Sequence, residues 1–99
     1  MKTLIENLNK NFESRIRLGI MSILVVNDWM EFNVIKDTLQ VSDGNLASHI
    51  KALENENYIE IKKQFIGKKP NTSYRITQIG RRAFNEHLNA LEALIKTTV

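Results

Sequence analysis

Apolar residues along most of this chain recur at the three- and four-residue steps of a helix, and one stretch alternates instead. Leu46, Ile50 and Leu53 fall at i, i+4 and i+7, which predicts a helix from Asp43 or Gly44 to about Glu56 with one narrow edge facing a core. Phe32, Ile35 and Leu39 predict a shorter helix over residues 32–40 just before it. Val41 and Ser42 are a tight connection, so residues 32–56 read as two short helices joined by a turn.

Upstream, Leu4, Ile5, Leu8 and Phe12 share one side of an amphipathic segment over residues 3–11, too short to hold its shape unless docked. Ser14 can cap a second helix running to about Asn27. Ile16, Ile20, Ile23 and Leu24 form one stripe of that helix, and Leu18, Met21 and Val25 form another on the opposite face. Such a helix is covered on two sides, by the core and by either another helix or a second subunit. Asn27 and Asp28 then make a turn into a very short extended segment at Trp29 and Met30.

After Asn57 the period changes to two. Ile59 and Ile61 alternate with Glu60 and Lys62, which predicts a strand over residues 58–66 ending in the apolar pair Phe65 and Ile66. The segment Gly67-Lys68-Lys69-Pro70-Asn71 has the chemistry of a hairpin tip, and Thr72–Thr77 returns as a second strand with Tyr74 and Ile76 on one face. Thr77 caps a long last helix reaching about Lys96. Its seam Phe84, Leu88, Leu91 and Ile95 steps by 4, 3 and 4 with Ile79, Ala83, Ala90 and Leu94 as a shoulder.

Composition sets the scale of this pattern. The 99 residues, 42% hydrophobic and 25% charged, suit one soluble domain spanning residues 1–99 with one core. Cysteine is absent, which excludes disulfides and thiolate metal sites. The apolar run from Leu18 to Val26 is broken by Gly19 and Ser22, lacks a small-residue cleavage site and is too short to span a bilayer. The expected location is therefore the cytoplasm, with no membrane partner. The two terminal helices, residues 1–27 and 78–97, carry more apolar surface than a chain of this size readily covers, so a homodimer through them is expected. Its interface would draw on Leu4, Ile5, Leu8, Leu18, Met21, Phe84, Leu88, Leu91 and Ile95.

Net charge is only +3, but it is unevenly placed. Between Tyr58 and Arg82 there are seven basic residues (Lys62, Lys63, Lys68, Lys69, Arg75, Arg81 and Arg82) against the single acid Glu60, while the rest of the chain holds seven basic and ten acidic groups. A basic block on an otherwise acidic chain is the electrostatic footprint of a nucleic-acid binder. The helix from residue 43 supplies a complementary surface. Ser42 suits its N-cap and Asp43 its positive end, while Gly44, Asn45, Ser48, His49 and Lys51 present small polar groups away from the apolar edge.

The full order is helix, helix, short strand, helix, turn, helix, strand, basic tip, strand, long helix: mainly α with a small β-hairpin wing, a winged helix-turn-helix with a long terminal dimerisation helix. Three blocks, Arg15–Met21, Val41–Glu54 and Gly67–Thr77, resemble those of MarR/ArsR-type winged-helix transcriptional regulators, especially the small members that are little more than a DNA-binding domain. The resemblance covers the chain from Phe12 to Leu94. It implies a homodimer on double-stranded DNA, with the helix of residues 43–56 in the major groove. The wing, residues 58–77, would then lay its tip at 67–71 on the phosphate backbone.

Residue chemistry agrees with these roles. Asn45, Ser48 and His49 suit base edges, His49 suiting a phosphate equally well, and Ser42, Lys51, Lys63, Lys68, Lys69 and Arg75 suit the backbone. Arg15 and Arg17 are extra phosphate contacts or partners of Glu13 across a subunit interface. Many relatives have arginine at the wing tip where this chain has lysine, a point charge rather than a bidentate reader, so backbone anchoring is the wing's expected role.

Other function classes find little support. With two histidines, no phosphate-cradling glycine loop and no nucleophile elbow, the chain offers neither an enzyme's machinery nor a cofactor or metal site; His87 is expected as a partly buried helix residue near the dimer seam. A winged helix devoted to protein contacts would show an apolar patch on the second helix of the turn or an acidic wing, and neither is present. No effector pocket is evident, because Trp29, Phe32 and Phe84 read as core residues.

Overall fold

The computed structural model describes residues 4–97. Two 3₁₀ turns, Leu4–Asn7 and Lys10–Phe12, precede helix α1 (Arg15–Val25), strand β1 (Met30–Glu31), helices α2 (Phe32–Leu39) and α3 (Asp43–Asn55), strands β2 (Ile59–Ile66) and β3 (Lys69–Ile76), and helix α4 (Gln78–Ile95). The strands form one antiparallel sheet in the order β1-β3-β2. This is the winged helix expected from the pattern. No helix among the described residues is long and apolar enough to cross a membrane.

Helices α1, α3 and α4 each begin where a hydroxyl residue accepts an orphan N–H. Ser14 Oγ accepts from Arg17 N–H (3.3 Å), Ser42 Oγ from Asn45 N–H (3.2 Å) and Thr77 Oγ1 from Gly80 N–H (2.9 Å). Helix α2 begins without such a side-chain cap and ends where Gln40 adopts the left-handed conformation, φ 55°. Asn57, φ 61°, turns the chain from α3 into β2.

The first segment departs from expectation. A continuous helix over residues 3–11 is replaced by two 3₁₀ turns that break at Asn9. Asn9 is drawn out of helical geometry by three partners: its side chain accepts from Asn11 N–H (2.9 Å) and donates to Tyr58 Oη (3.0 Å), and its backbone N–H donates to His87 Nδ1 (3.0 Å). These bonds outweigh the small stability of a two-turn helix.

Helix α1 is covered on both sides, as its two stripes require, and by its own chain: α2, α3 and β3 all pack against it. Ile20, Met21 and Leu24 are fully buried, while Ile16, Leu18, Ile23 and Val25 pack partly buried around them. Met21 and Phe84, expected at a dimer interface, instead lie inside this single-chain core, so neither side chain faces outward. Phe12 closes the core's end, with ring centroids 5.6 Å from Tyr58, 5.7 Å from Phe84 and 5.2 Å from His87.

The wing's second strand begins earlier, at Lys69 rather than Thr72, and its turn is tighter than expected. Pairing continues to Ile66 opposite Lys69, leaving Gly67 (φ 65°) and Lys68 as the turn. Pro70 sits inside β3 opposite Phe65. It is tolerated because β1 pairs only with Ser73 and Tyr74, which leaves the tip half of β3 an open edge.

Candidate nucleic-acid interface

Helix α3 separates its two faces cleanly. Leu46, Ile50 and Leu53 are buried, and Asn45, Ser48 and Lys51 are exposed on the other side together with Gly44 and Ala47. The start of the helix is fixed twice, by the Ser42 cap and by an ion pair of 2.8 Å between Lys36 of α2 and Asp43. That bond and the negative charge of Asp43 hold the Lys36 ammonium above its ordinary pKa. Ser42 remains exposed, and its cap uses only the oxygen as acceptor, so its O–H is left to donate outward.

His49 is half-buried at the edge of this face, where Arg17 of α1 donates from Nε to its Nδ1 (3.1 Å). An accepting Nδ1 requires the ring proton on Nε2. Arg17 therefore joins Asn45, Ser48 and His49 at the polar surface, by way of a contact invisible in sequence spacing.

The wing's cations divide into two groups. By cross-strand register and alternation, Lys63 shares the face of Ile59 and Ile61, while Lys68 and Lys69 sit at the tip; all three are exposed. Arg75 is placed differently from expectation. It lies on the opposite face, where it is bonded to Glu60, whose carboxylate accepts from its Nε at 2.8 Å, with Asp28 at 3.8 Å. Its guanidinium also lies 4.4 Å from the ring centroid of Trp29, and the Lys62 ammonium lies 4.5 Å from the same ring. Arg75 is engaged in holding the sheet's outer face, which removes it from the cations open to a phosphate. Trp29, expected in the core, is the half-buried platform of this cluster.

The terminal elements bring a third surface together. The first 3₁₀ turn packs on α4. Leu4 and Ile5 there, and Leu88, Leu91 and Ile95 on α4, are exposed, whereas Leu8 and Leu18 are half-buried.

A helix-turn-helix with a closed apolar rear and an open polar front, followed by a β-hairpin with cations at its tip, defines the winged-helix class of DNA-binding domains. Residues 16–95 match the family model described as winged helix DNA-binding domain, and the chain belongs to that family. It is 37% identical over 87 residues to an uncharacterized protein of Methanocaldococcus jannaschii, covering 88% of this chain and 95% of that one. The solved structure of a transcriptional regulator homologue from Pyrococcus horikoshii superposes with a TM-score of 0.75 at 34% identity, covering 91% of this chain and 94% of the other. AbfR of Staphylococcus epidermidis shares the fold, with a TM-score of 0.74 at 20% identity over 91% of this chain and 64% of its own.

Proposed function

We propose that the protein is a homodimeric transcriptional regulator that binds double-stranded DNA sequence-specifically in the cytoplasm. Helix α3 enters the major groove, Asn45, Ser48 and His49 read base edges, and Ser42, Lys51, Lys63, Lys68 and Lys69 bind phosphates. The observation that carries this reading is the exposed polar face of α3, set on a buried apolar stripe beside an exposed lysine-rich wing. Similarity to the Pyrococcus horikoshii regulator homologue supports the regulatory role.

The test is a fluorescence-anisotropy titration of genomic DNA fragments across a salt series. Each phosphate neutralised contributes about 0.9 to the slope of log affinity against log salt, so Lys68→Ala with Lys69→Ala should flatten that slope by about two. Absence of binding at low salt, or binding unaffected by the double variant, would refute the reading. Asn45→Ala or Ser48→Ala should remove preference between sequences and leave non-specific affinity nearly unchanged.

A further inference from the structure

The wing tip carries two large apolar side chains that folding does not use. Phe65 is 73% exposed and Ile66 is 56% exposed, although both stand in a paired strand. Only Ile59, at the far end of β2, is buried. At about 3.3 Å per residue, the strand carries Phe65 about 20 Å beyond it. An exposed phenylalanine at a hairpin's end gives no packing and works against solubility, so its place there calls for a partner.

We propose that this tip is a minor-groove wedge: Phe65, backed by Pro70 directly across the ladder, enters between base pairs while Lys63, Lys68 and Lys69 neutralise the flanking phosphates. The inference rests on the DNA-binding reading above and adds a mechanical act to it, the bending of the bound duplex. Two observations select DNA as the occupant. The apolar pair Phe65 and Pro70 shares one face with the exposed Lys63, and the exposed Lys68 and Lys69 are at the adjoining turn, so a polyanion is matched in charge. By strand alternation that face is also the one on which Ile59, Tyr74 and Ile76 meet the helices, and α3 itself packs on β2.

The mechanism differs from arginine readout of a narrow groove. Lysines hold the tip at the backbone, and the phenyl ring displaces stacking, a step that costs least at flexible pyrimidine–purine steps. Apolar wedges of this kind kink duplexes by about 20–90°. Preference for deformable steps then arises at positions that no polar side chain of the wing contacts.

The experiment uses the full chain and an end-labelled mixed-sequence duplex of about 30 base pairs containing TA and CA steps. Binding is read by anisotropy and bending by energy transfer between the ends. Wild-type binding should raise energy transfer. Phe65→Ala should abolish that rise and lower affinity by about tenfold, the scale of one lost ring–base contact. Its salt slope should be unchanged because no charge is lost, and Phe65→Leu should retain much of the bend.

Wild-type binding without bending, or bending that survives Phe65→Ala, overturns the wedge and leaves the DNA reading standing. Absence of wild-type binding at low salt overturns both. A change of oligomeric state on Phe65→Ala in light scattering assigns the tip to a second copy of the chain and also overturns the wedge.

Discussion

Arg17 Nε donates to His49 Nδ1 across 3.1 Å, and this bond ties the central helix α1 to the polar edge of α3. It leaves the two terminal nitrogens of the guanidinium to point elsewhere, and it places the imidazole proton on Nε2. If His49 reads a base, it does so as a donor whose orientation is held by Arg17.

Arg17→Ala should therefore affect discrimination more than folding. The loss expected is about 1–3 kcal/mol of preference for a selected duplex over random sequence, the scale of one well-oriented base contact. Competition anisotropy measures it. The thermal midpoint should move little, because Arg17 is only half-buried and Ser14 still caps α1. Equal loss of affinity for both duplexes would instead make Arg17 a phosphate contact.

Gly80→Ala should be among the most damaging small changes in the chain. A Cβ at Gly80 would lie 2.0 Å from the carbonyl oxygen of Tyr58, the same oxygen that accepts from Thr77 N–H at 3.0 Å. Backbone meets backbone there, so relief requires α4 to move away from the junction of α3 and β2. A loss above about 3 kcal/mol is expected in urea unfolding. Gly44→Ala, with nothing within 4 Å of the added carbon, should instead stabilise by about 0.5 kcal/mol.

How far the sequence could be read depended on whether a feature was local. Ser14, Ser42 and Thr77 each cap the helix they precede, and the alternation from Ile59 marks β2, because those signals lie within a few residues of their effect. Asn9 was illegible, since its partners Tyr58 and His87 are distant in sequence. Met21 and Phe84 sit on stripes that look outward until α1 and α4 are packed, and periodicity does not say which covered side belongs to the chain's own core. Arg75 was legible in principle. Glu60 precedes Gly67 by as many residues as Arg75 follows Lys68, so a two-residue turn at 67–68 makes them cross-strand partners. A hairpin tip spanning all of Gly67–Asn71 would not set that register; the two-residue turn does. Trp29 gave no comparable signal, because its cations come from two strands of the sheet.

Acid should loosen the N-terminal segment. His87 is buried against Phe12, and desolvation lowers its pKa below the ordinary 6.5, while its Nδ1 accepts from Asn9 N–H. Between the folded and the ordinary value the unfolded chain binds more protons, so stability rises with pH there. This contribution is complete above about pH 6.5 and declines as pH falls toward the folded value. Urea midpoints at closely spaced pH values should show the decline, and His87→Gln, which keeps an acceptor but does not titrate, should flatten it. The Asn9 amide resonance should broaden or shift over the same interval.

The terminal surface is apolar and open. Leu91 is 44% exposed and Ile95 74% exposed on α4, and beside them the first 3₁₀ turn presents Ile5, 68% exposed. Burying such side chains contributes about 25 cal/mol per Å² of apolar area, enough to drive self-association if a symmetric copy covers them. Light scattering at micromolar concentration should then give a dimer mass, and Leu91→Glu should give a monomer with an unchanged helical spectrum, since Leu91 lies outside the buried core cluster. Met21→Ala tests the opposite case. Met21 is fully buried, so its truncation should cost about 2–5 kcal/mol of folding stability whatever the oligomeric state. In the proposed dimer the two results are connected through DNA: two linked α3 helices would engage two half-sites with an effective concentration that a lone domain lacks. The monomeric Leu91→Glu chain should consequently lose affinity for a palindromic duplex far more than for a single half-site. A dimer mass that persists in Leu91→Glu would move the interface off α4.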